Sequence, residues 1–396
     1  MIKLEESRVL DGLSTHKKEM TLIISERLFC LKQALEIWKA TKKRDKEKVF
    51  EKLVAYPFER LTEKDWQNIL MIFLSSNKKN VYHDIKDKRK WKEYFKKNVY
   101  SYLEIINFLD IIKLDKILNS KPKGLVKIND EVNLLLQKKG FNRSVTKRGT
   151  KAKFYDAHLE KMIGMIFNYN HFSSKTTDFY SGYELTAKLD IRTCLYCNRN
   201  FIETISRPSK IVRPDLDHFF PKSHFPFLAV SFYNLIPSCK VCNSGFKGAN
   251  TIELLHPYLD GFGDNAKFIT KPKDVGSIVG LKSNFSIDFS EPKGINKNKI
   301  ENSIKEFGLD KLYQFNKDVA ISIRRKAAAN KNYLKVLYKT FKDKNGNYLF
   351  KSKAELFDIA FGNYLDEENF EKRPLAKFTR DIAEDAEILN FPDELQ

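Results

Sequence analysis

No apolar run in the chain approaches the ~20 residues that a membrane-crossing helix requires. The opening "MIKLEESRVLDG" carries charge where a secretory leader needs an apolar centre, so the sequence reads as cytoplasmic, with no membrane partner. Cysteine is scarce: Cys30, Cys194, Cys197, Cys239 and Cys242 are the five in 396 residues. Four of them fall into two tight pairs, which in a reducing compartment suggests metal thiolates and not a disulfide scaffold. Internal repeats with a period of roughly 20 to 50 residues are missing, as are long low-complexity segments. A Gly-rich phosphate loop of the Walker type is missing too, so any nucleotide-driven control has to come from another subunit.

What the chain does hold is positive charge. Its 71 Lys and Arg against 51 Asp and Glu leave a formal +20. That balance favours a polyanionic partner such as nucleic acid over an acidic small molecule, although AT-rich codon usage is a competing source of lysine. The 42% hydrophobic content is enough to build real cores in two or three compact units.

Apolar residues recur at three-to-four spacing from about Thr15 to Ala40, which predicts a long amphipathic helix with Cys30 as a buried spectator. A second helix is expected near Thr62, where "TEKD" offers a Thr cap and an acid three residues on. Helical patterning runs on through "WKEYFKKNVYSYLEIINFLDIIKLDKIL" until "NSKPKG" stops it. Residues 1–185 are thus expected to be a mainly helical N-terminal region. Within it, the basic run from Lys138 to Lys153 reads as an exposed loop or short hairpin, either contacting a nucleic-acid backbone or simply solvated.

Turn-rich residues 186–263 form the expected centre, and residues 264–396 a second mainly helical region after a strand or two. Asn345 and Gly346 mark a turn. From Asp366 to Gln396 ten acids face four Lys and Arg, which reads as an acidic tail that covers a basic surface, docks a partner or keeps the chain soluble.

"CLYC" and "CKVC" each let one tight turn aim two sulfurs at one ion, and four thiolates make a closed tetrahedral site for structural zinc. The 41 residues between Cys197 and Cys239 must leave that site and return, so "DLDHFFPKS" is held on a loop or hairpin clamped at its base. Inside the clamp lie Asp217, His218 and Asn234, with Asn243 and Lys247 just after it. This set offers oxygen ligands for a hard cation, a neutral-pH proton acceptor and a cation for phosphate. Asp217 with Asn243 would hold Mg²⁺ or Mn²⁺, His218 would deprotonate a water, and Asn234 would brace the loop around His218. Lys222 and Lys247 are expected to contact phosphate. His256, in "LLHPYLD", is a tentative further metal or phosphate contact, whereas His16, His83, His158 and His171 lack a motif and His224 is expected to pack or face solvent.

"LDHFFPKS", "NLIPSC" and "CKVCNSGFKG" together resemble the HNH endonuclease family over roughly Arg192 to Gly248. The resemblance implies a ββα-metal core: a β-hairpin followed by a helix around one divalent ion. The implied fold class is α+β, with this small core and its four-cysteine zinc site embedded in mainly α-helical flanks. Carried onto this chain, the resemblance implies Asp217 and Asn243 as metal ligands, His218 as general base and Asn234 as the middle structural residue. Many members have His where this chain has Asn243. The extra helical regions look like those of effector nucleases in bacterial anti-phage defence, some of which work with an ATPase. The expected activity is metal-dependent hydrolysis of DNA, with RNA still open as substrate. The alternative is a zinc-containing module that binds nucleic acid or protein without catalysis.

Overall fold

A computed structural model describes residues 1–40, 59, 61, 65, 88–109, 111–141, 143–145, 152–154, 157–174, 180–207 and 210–395. The helix expected near Thr62 and His83 lie outside the described residues, apart from isolated positions such as Asp65. Among the described residues no helix is long and apolar enough to cross a membrane.

The first helix runs from Glu6 to Ala40, longer than its predicted Thr15 start. The reason is local: Val9, Gly12 and His16 extend the buried stripe that Met20, Ile23, Ile24, Arg27 and Leu31 continue. Gly12 is required by close packing, since a Cβ there would sit 2.6 Å from Leu189 Cδ2 in the helix Gly182–Leu189. "NSKPKG" stops one helix, Ile111–Asn119, but starts another, Pro122–Lys138. Proline has no N–H to lose at a helix N-terminus, so Pro122 opens the new helix instead of forbidding it.

Among the described residues the strands come as four separate antiparallel pairs. In the basic run, β1 (Arg143–Val145) pairs with β2 (Ala152–Phe154), so its described part is a short antiparallel strand pair. A second pair sets β3 (Ile205–Arg207) beside β4 (Lys210–Val212). The third pair sets β5 (Asp215–His218) beside β6 (Leu235–Ser238), with Asp215 opposite Ser238 and His218 opposite Leu235. The fourth, β7 (Phe268–Pro272) with β8 (Phe285–Phe289), fills the place where alternation predicted strands. Helices return at Lys297–Glu306, Lys317–Ala329, Tyr333–Thr340, Lys353–Phe361 and Ala376–Asp385.

One continuous apolar cluster contains side chains from Met1 through to Ile388, so all three expected regions share a core. The acid-rich stretch from Asp366 is not a tail on the surface. Phe370, Glu371, Phe378, Asp381 and Ile382 in it are fully or almost fully buried. Three of its acids are answered inside the fold, Glu371 by Arg8, Asp381 by Lys377 at 2.7 Å and Asp385 by Arg324 at 2.7 Å, whereas Asp366, Glu368, Glu384, Glu387, Asp393 and Glu394 are exposed. Part of an acid-rich run can therefore be core-facing when cations meet it, Arg8 and Arg324 from afar and Lys377 from one turn away.

Asn198 fastens this segment to the centre. It is buried in a left-handed conformation (φ 49°), and its Nδ2 donates to Phe370 O at 2.8 Å, Thr193 Oγ1 at 3.1 Å and Arg373 O at 3.2 Å. Asn198 O and Oδ1 accept from the backbone N–H groups of Leu375 and Lys377. His16, one of the histidines without a motif, is likewise structural. Its Nε2 lies 2.8 Å from Val230 O amid the rings of Phe172, Tyr180 and Phe232, and burial pushes its pKa down to about 4.

Two outcomes follow from these buried groups. Asn198→Ala strands several backbone partners and puts a β-carbon residue without a compensating side chain in the left-handed region, so a loss of roughly 2 to 4 kcal/mol is expected in urea unfolding. An unchanged midpoint would refute the staple. The buried His16 refuses a proton that the unfolded chain accepts. The His16 contribution is therefore full above about pH 6.5 and falls by up to about 3 kcal/mol as pH drops toward 4, and His16→Gln should make that slope shallower, with His218 and His256 accounting for part of what remains, in unfolding curves taken across the range.

Candidate metal and phosphodiester site

Both cysteine pairs sit where the backbone turns sharply. At the first, Cys194 N–H donates to Asn200 O (3.0 Å) and Asn198 N–H to Cys194 O (2.7 Å), and the Thr193–Phe201 bridge closes the turn. The second begins as β6 ends at Ser238 and the chain enters the short, broad π-helix Val241–Lys247. The Sγ atoms of Cys194, Cys197, Cys239 and Cys242, all buried, lie within 4.8 Å of one another, and Cys197 Sγ is 4.0 Å from Cys239 Sγ. Zinc with ~2.3 Å bonds to sulfur needs tetrahedral S···S edges of about 3.8 Å, so the donor set fits that ion closely. Protonation within the cluster is uneven. Bonds among the sulfurs lower the pKa of Cys197 and Cys239, whereas Cys194 is raised chiefly by burial and Cys242 by its sulfur neighbours. Four buried sulfurs cannot all ionise together unless a cation answers them.

The strand β5 leaves this anchor and divides its residues between two faces. Asp217 points inward and is 1% exposed. Tyr196, from between the first two cysteines, donates its hydroxyl to Asp217 Oδ2 at 2.7 Å. Lys247 Nζ lies 3.2 Å from Oδ1 and 3.1 Å from Oδ2, and also donates to His218 O at 2.6 Å. Burial raises the Asp217 pKa, and Lys247 and Tyr196 oppose that rise. Lys247, expected to face phosphate, is instead 2% exposed and spent on these contacts. A lysine stem five residues beyond Cys242 reaches back under the strand because the helix turns it there.

His218 occupies the other face and is half-buried. Its Nε2 is 3.0 Å from Ala229 O. A carbonyl only accepts, so Nε2 carries the proton of the neutral ring and Nδ1 is left as the acceptor. Tyr169 packs edge-on to the imidazole with ring centroids 4.3 Å apart, and the exposed Lys222 holds its Nζ 4.7 Å above the Tyr169 ring. Burial first, then the charge of Lys222, pushes the His218 pKa down to about 3.

Asn234 is fully buried and bonds the intervening loop at three points. Its Nδ2 donates to Leu228 O (2.7 Å) and Phe220 O (3.1 Å), and its Oδ1 accepts from Phe220 N–H (2.6 Å). Asn243 is half-buried, and its Nδ2 lies 3.2 Å from Asp215 Oδ2. His256 points away from any such role. Its Nε2 meets Tyr233 O at 2.6 Å and its Nδ1 accepts from Tyr258 N–H at 3.3 Å, so neither nitrogen is left for an ion. His224 meets only Ser223 Oγ, at 3.2 Å, among its described bonds.

Three residues around these groups escaped the sequence reading. Asp215 had a usable signal, because residues two apart on a strand share a face, and Asp217 was already singled out. Tyr196 is spelled within "CLYC", but a tyrosine between cysteines carries no spacing rule. Tyr169 stands far upstream and had no local signal.

The sulfur cluster predicts dependence on metal. Cys239→Ser, or exhaustive chelation, should remove one zinc per chain and produce a cooperative loss of structure around β5 and β6, read by metal analysis and hydrogen exchange. Full protection of that hairpin in a zinc-free protein would contradict the clamp.

No family model matches the chain, and no solved structure matches it. Two curated proteins share short segments with it. Protein ea31 of Escherichia phage lambda is 41% identical over 51 residues, 12% of this chain and 17% of that protein. The Septu protein PtuB of Bacillus thuringiensis is 34% identical over 88 residues, 21% of this chain and 32% of that protein. The chain thus spans less than a third of the length of either relative it matches.

Proposed function

We propose that the protein is an HNH-type, divalent-metal-dependent endonuclease that hydrolyses DNA phosphodiester bonds and serves in anti-phage defence. The observation that carries this reading is the state of His218: an imidazole fixed through Nε2 by Ala229 O, with Nδ1 available, on a strand whose opposite face holds carboxylates beside Asn243. The antiparallel β5–β6 pair followed by the helix Val241–Lys247 has the hairpin-then-helix order that such a core needs. The likeness to Septu protein PtuB, an anti-phage defence protein, supports the defence role. The excess of basic residues suits a polyanionic substrate.

In this reading His218 Nδ1 takes a proton from water as the water oxygen bonds to phosphorus and the P–O3′ bond breaks. Nε2–H stays on Ala229 O throughout and keeps the ring aimed. Burial and Lys222 weaken the imidazole as a base, so the negative charge gathering on the phosphate has to stabilise the imidazolium as it forms. Lys222, beside the imidazole on the exposed face, is the cation for a phosphate oxygen. Lys247 holds Asp217 and the His218 carbonyl in place from below. Asn234 fixes the loop that supplies Ala229 O. A bound Mg²⁺ or Mn²⁺, held by Asp217 and Asn243 as the HNH resemblance implies, would supply charge stabilisation at the leaving oxygen. A regulatory protein partner, such as an ATPase, belongs to the same reading.

Purified protein incubated with plasmid DNA and Mg²⁺ or Mn²⁺ should convert supercoiled to nicked and linear forms. His218→Ala should slow this by about 10² to 10⁴-fold, the usual contribution of a positioned general base. Equal cutting by both proteins would refute the assignment, and salt-sensitive binding without metal-dependent cutting would favour a non-catalytic zinc module.

A further inference from the structure

The strand pair β3–β4 has an outer face of unusual make-up. Residues opposite each other in an antiparallel pair share a face, as do residues two apart on one strand. Ile205 stands opposite Val212 and Arg207 opposite Lys210, so these four side chains lie on one side, and all four are exposed. Ile205 is 52% exposed and Val212 58%, high for two apolar β-branched residues set side by side. Arg207 and Lys210 are like charges placed directly across the ladder, where they repel. Among the described residues no acid pairs with either of them.

The pair is also held firmly beside the reacting strand. Only Arg213 and Pro214 separate β4 from β5, and Arg213 is tied down: Nη1 donates to Pro214 O at 2.6 Å, Nη2 to Ser173 O at 3.3 Å, and the guanidinium lies 5.0 Å from the centre of the Tyr183 ring. Just before β3, Thr204 Oγ1 donates to Thr186 Oγ1 at 2.9 Å, which fixes the root of the pair to the helix Gly182–Leu189. From Val212 to His218 the chain reaches at most ~20 Å, about six base pairs of B-DNA at ~3.4 Å each. A duplex with a bond at His218 therefore passes the pair within one helical turn. Two paired strands lie ~5 Å apart and enter a major groove ~12 Å wide. Such a groove offers phosphates at its rim for the two cations, and apolar base edges within for Ile205 and Val212.

We infer that the outer face of β3–β4 docks in the major groove of duplex DNA beside the cleaved bond, with Arg207 and Lys210 on phosphate oxygens and Ile205 and Val212 against base edges. The inference deepens the nuclease reading and rests on it for the kind of substrate, but its test reads binding apart from cutting. Lys222 then serves the phosphate that is cut, and the strand pair holds the duplex several base pairs away. Phosphate contacts fix the register of the duplex on His218, and the apolar pair gives the protein its one contact with the bases.

The experiment measures fluorescence anisotropy of a labelled duplex three helical turns long, ~30 base pairs, with the zinc-loaded full chain over a series of salt concentrations and no Mg²⁺ or Mn²⁺. The double variant Arg207→Gln, Lys210→Gln should lose about tenfold or more in affinity. Its plot of log K against log salt should be shallower by about two, one for each lost phosphate contact. Ile205→Thr with Val212→Thr keeps the β-branching, and should lose affinity several-fold at an unchanged salt slope. Lys344→Gln with Lys351→Gln removes the same charge from exposed positions outside the pair, and should bind within about twofold of wild type. Zinc content and melting temperature should not change in any of them. Wild-type affinity and slope in the Arg207 and Lys210 variant, an equal loss in the Lys344 and Lys351 control, or tighter binding to single strands than to duplex overturns the inference. Full affinity in the Ile205 and Val212 variant overturns the groove placement. Failure of the nuclease reading looks different: duplex bound through the strand pair, with no metal-dependent cut by wild type. Equal plasmid cutting by wild type and the Arg207 and Lys210 variant would leave the nuclease and sink the docking face.

Discussion

Everything at the centre depends on four sulfurs being brought to one point. Among the described residues, the segment between Cys197 and Cys239 contains only short strands and short helical turns. Two strands of four residues do not hold their own register alone, so fixing the ends of the segment fixes the pair. The cluster does this at the base of β5 and β6, and the surrounding helices then bury what remains. The connection is direct at two atoms: Tyr196 reaches from the first cysteine pair to Asp217, and Tyr313 donates its hydroxyl to Cys197 O at 2.6 Å. A metal ion held by the four sulfurs would thus be coupled to the Asp217 carboxylate through Tyr196.

The site is organised by charge compensation more than by motif order. Burying Asp217 almost completely demands an opposite charge, and Lys247 supplies it from the following helix. Asp217 and Lys247 face each other inside the fold, whereas Asp215, Asn243, His218 and Lys222 are the more open groups around the strand. The two faces of β5 separate an acidic side from an imidazole side, and a phosphate lying across the strand would meet both.

The same rule governs the C-terminal segment. Its acids look like a solvated tail in one dimension, but Arg8, Arg324, Lys377 and Arg380 meet them inside the fold. Asn198, next to Cys197 of the four-cysteine cluster, then ties that segment to the cluster through bonds to backbone carbonyls. Residues from both ends of the described chain also pack on the knuckle, as when Ile2 N–H donates to Leu195 O. The centre is therefore the hub of the main core, with a smaller cluster of Leu334, Tyr338, Phe350, Leu356, Ala360 and Leu395 beside it.

Local spacing determined what was legible along the chain: the stripe of the first helix, two tight cysteine pairs, and an Asp-His step held between them. Those patterns repeat with the geometry of a turn, a helix or a strand, so neighbours in sequence suffice to read them. Only the tertiary structure decided that Lys247 turns inward, that Asp215 meets Asn243, that Tyr169 lies against His218, and that Glu371 and Asp385 meet Arg8 and Arg324. Each of these is a pairing between residues far apart in the chain. Burial and charge balance depend on which groups meet in space, and no spacing along one strand encodes the partner.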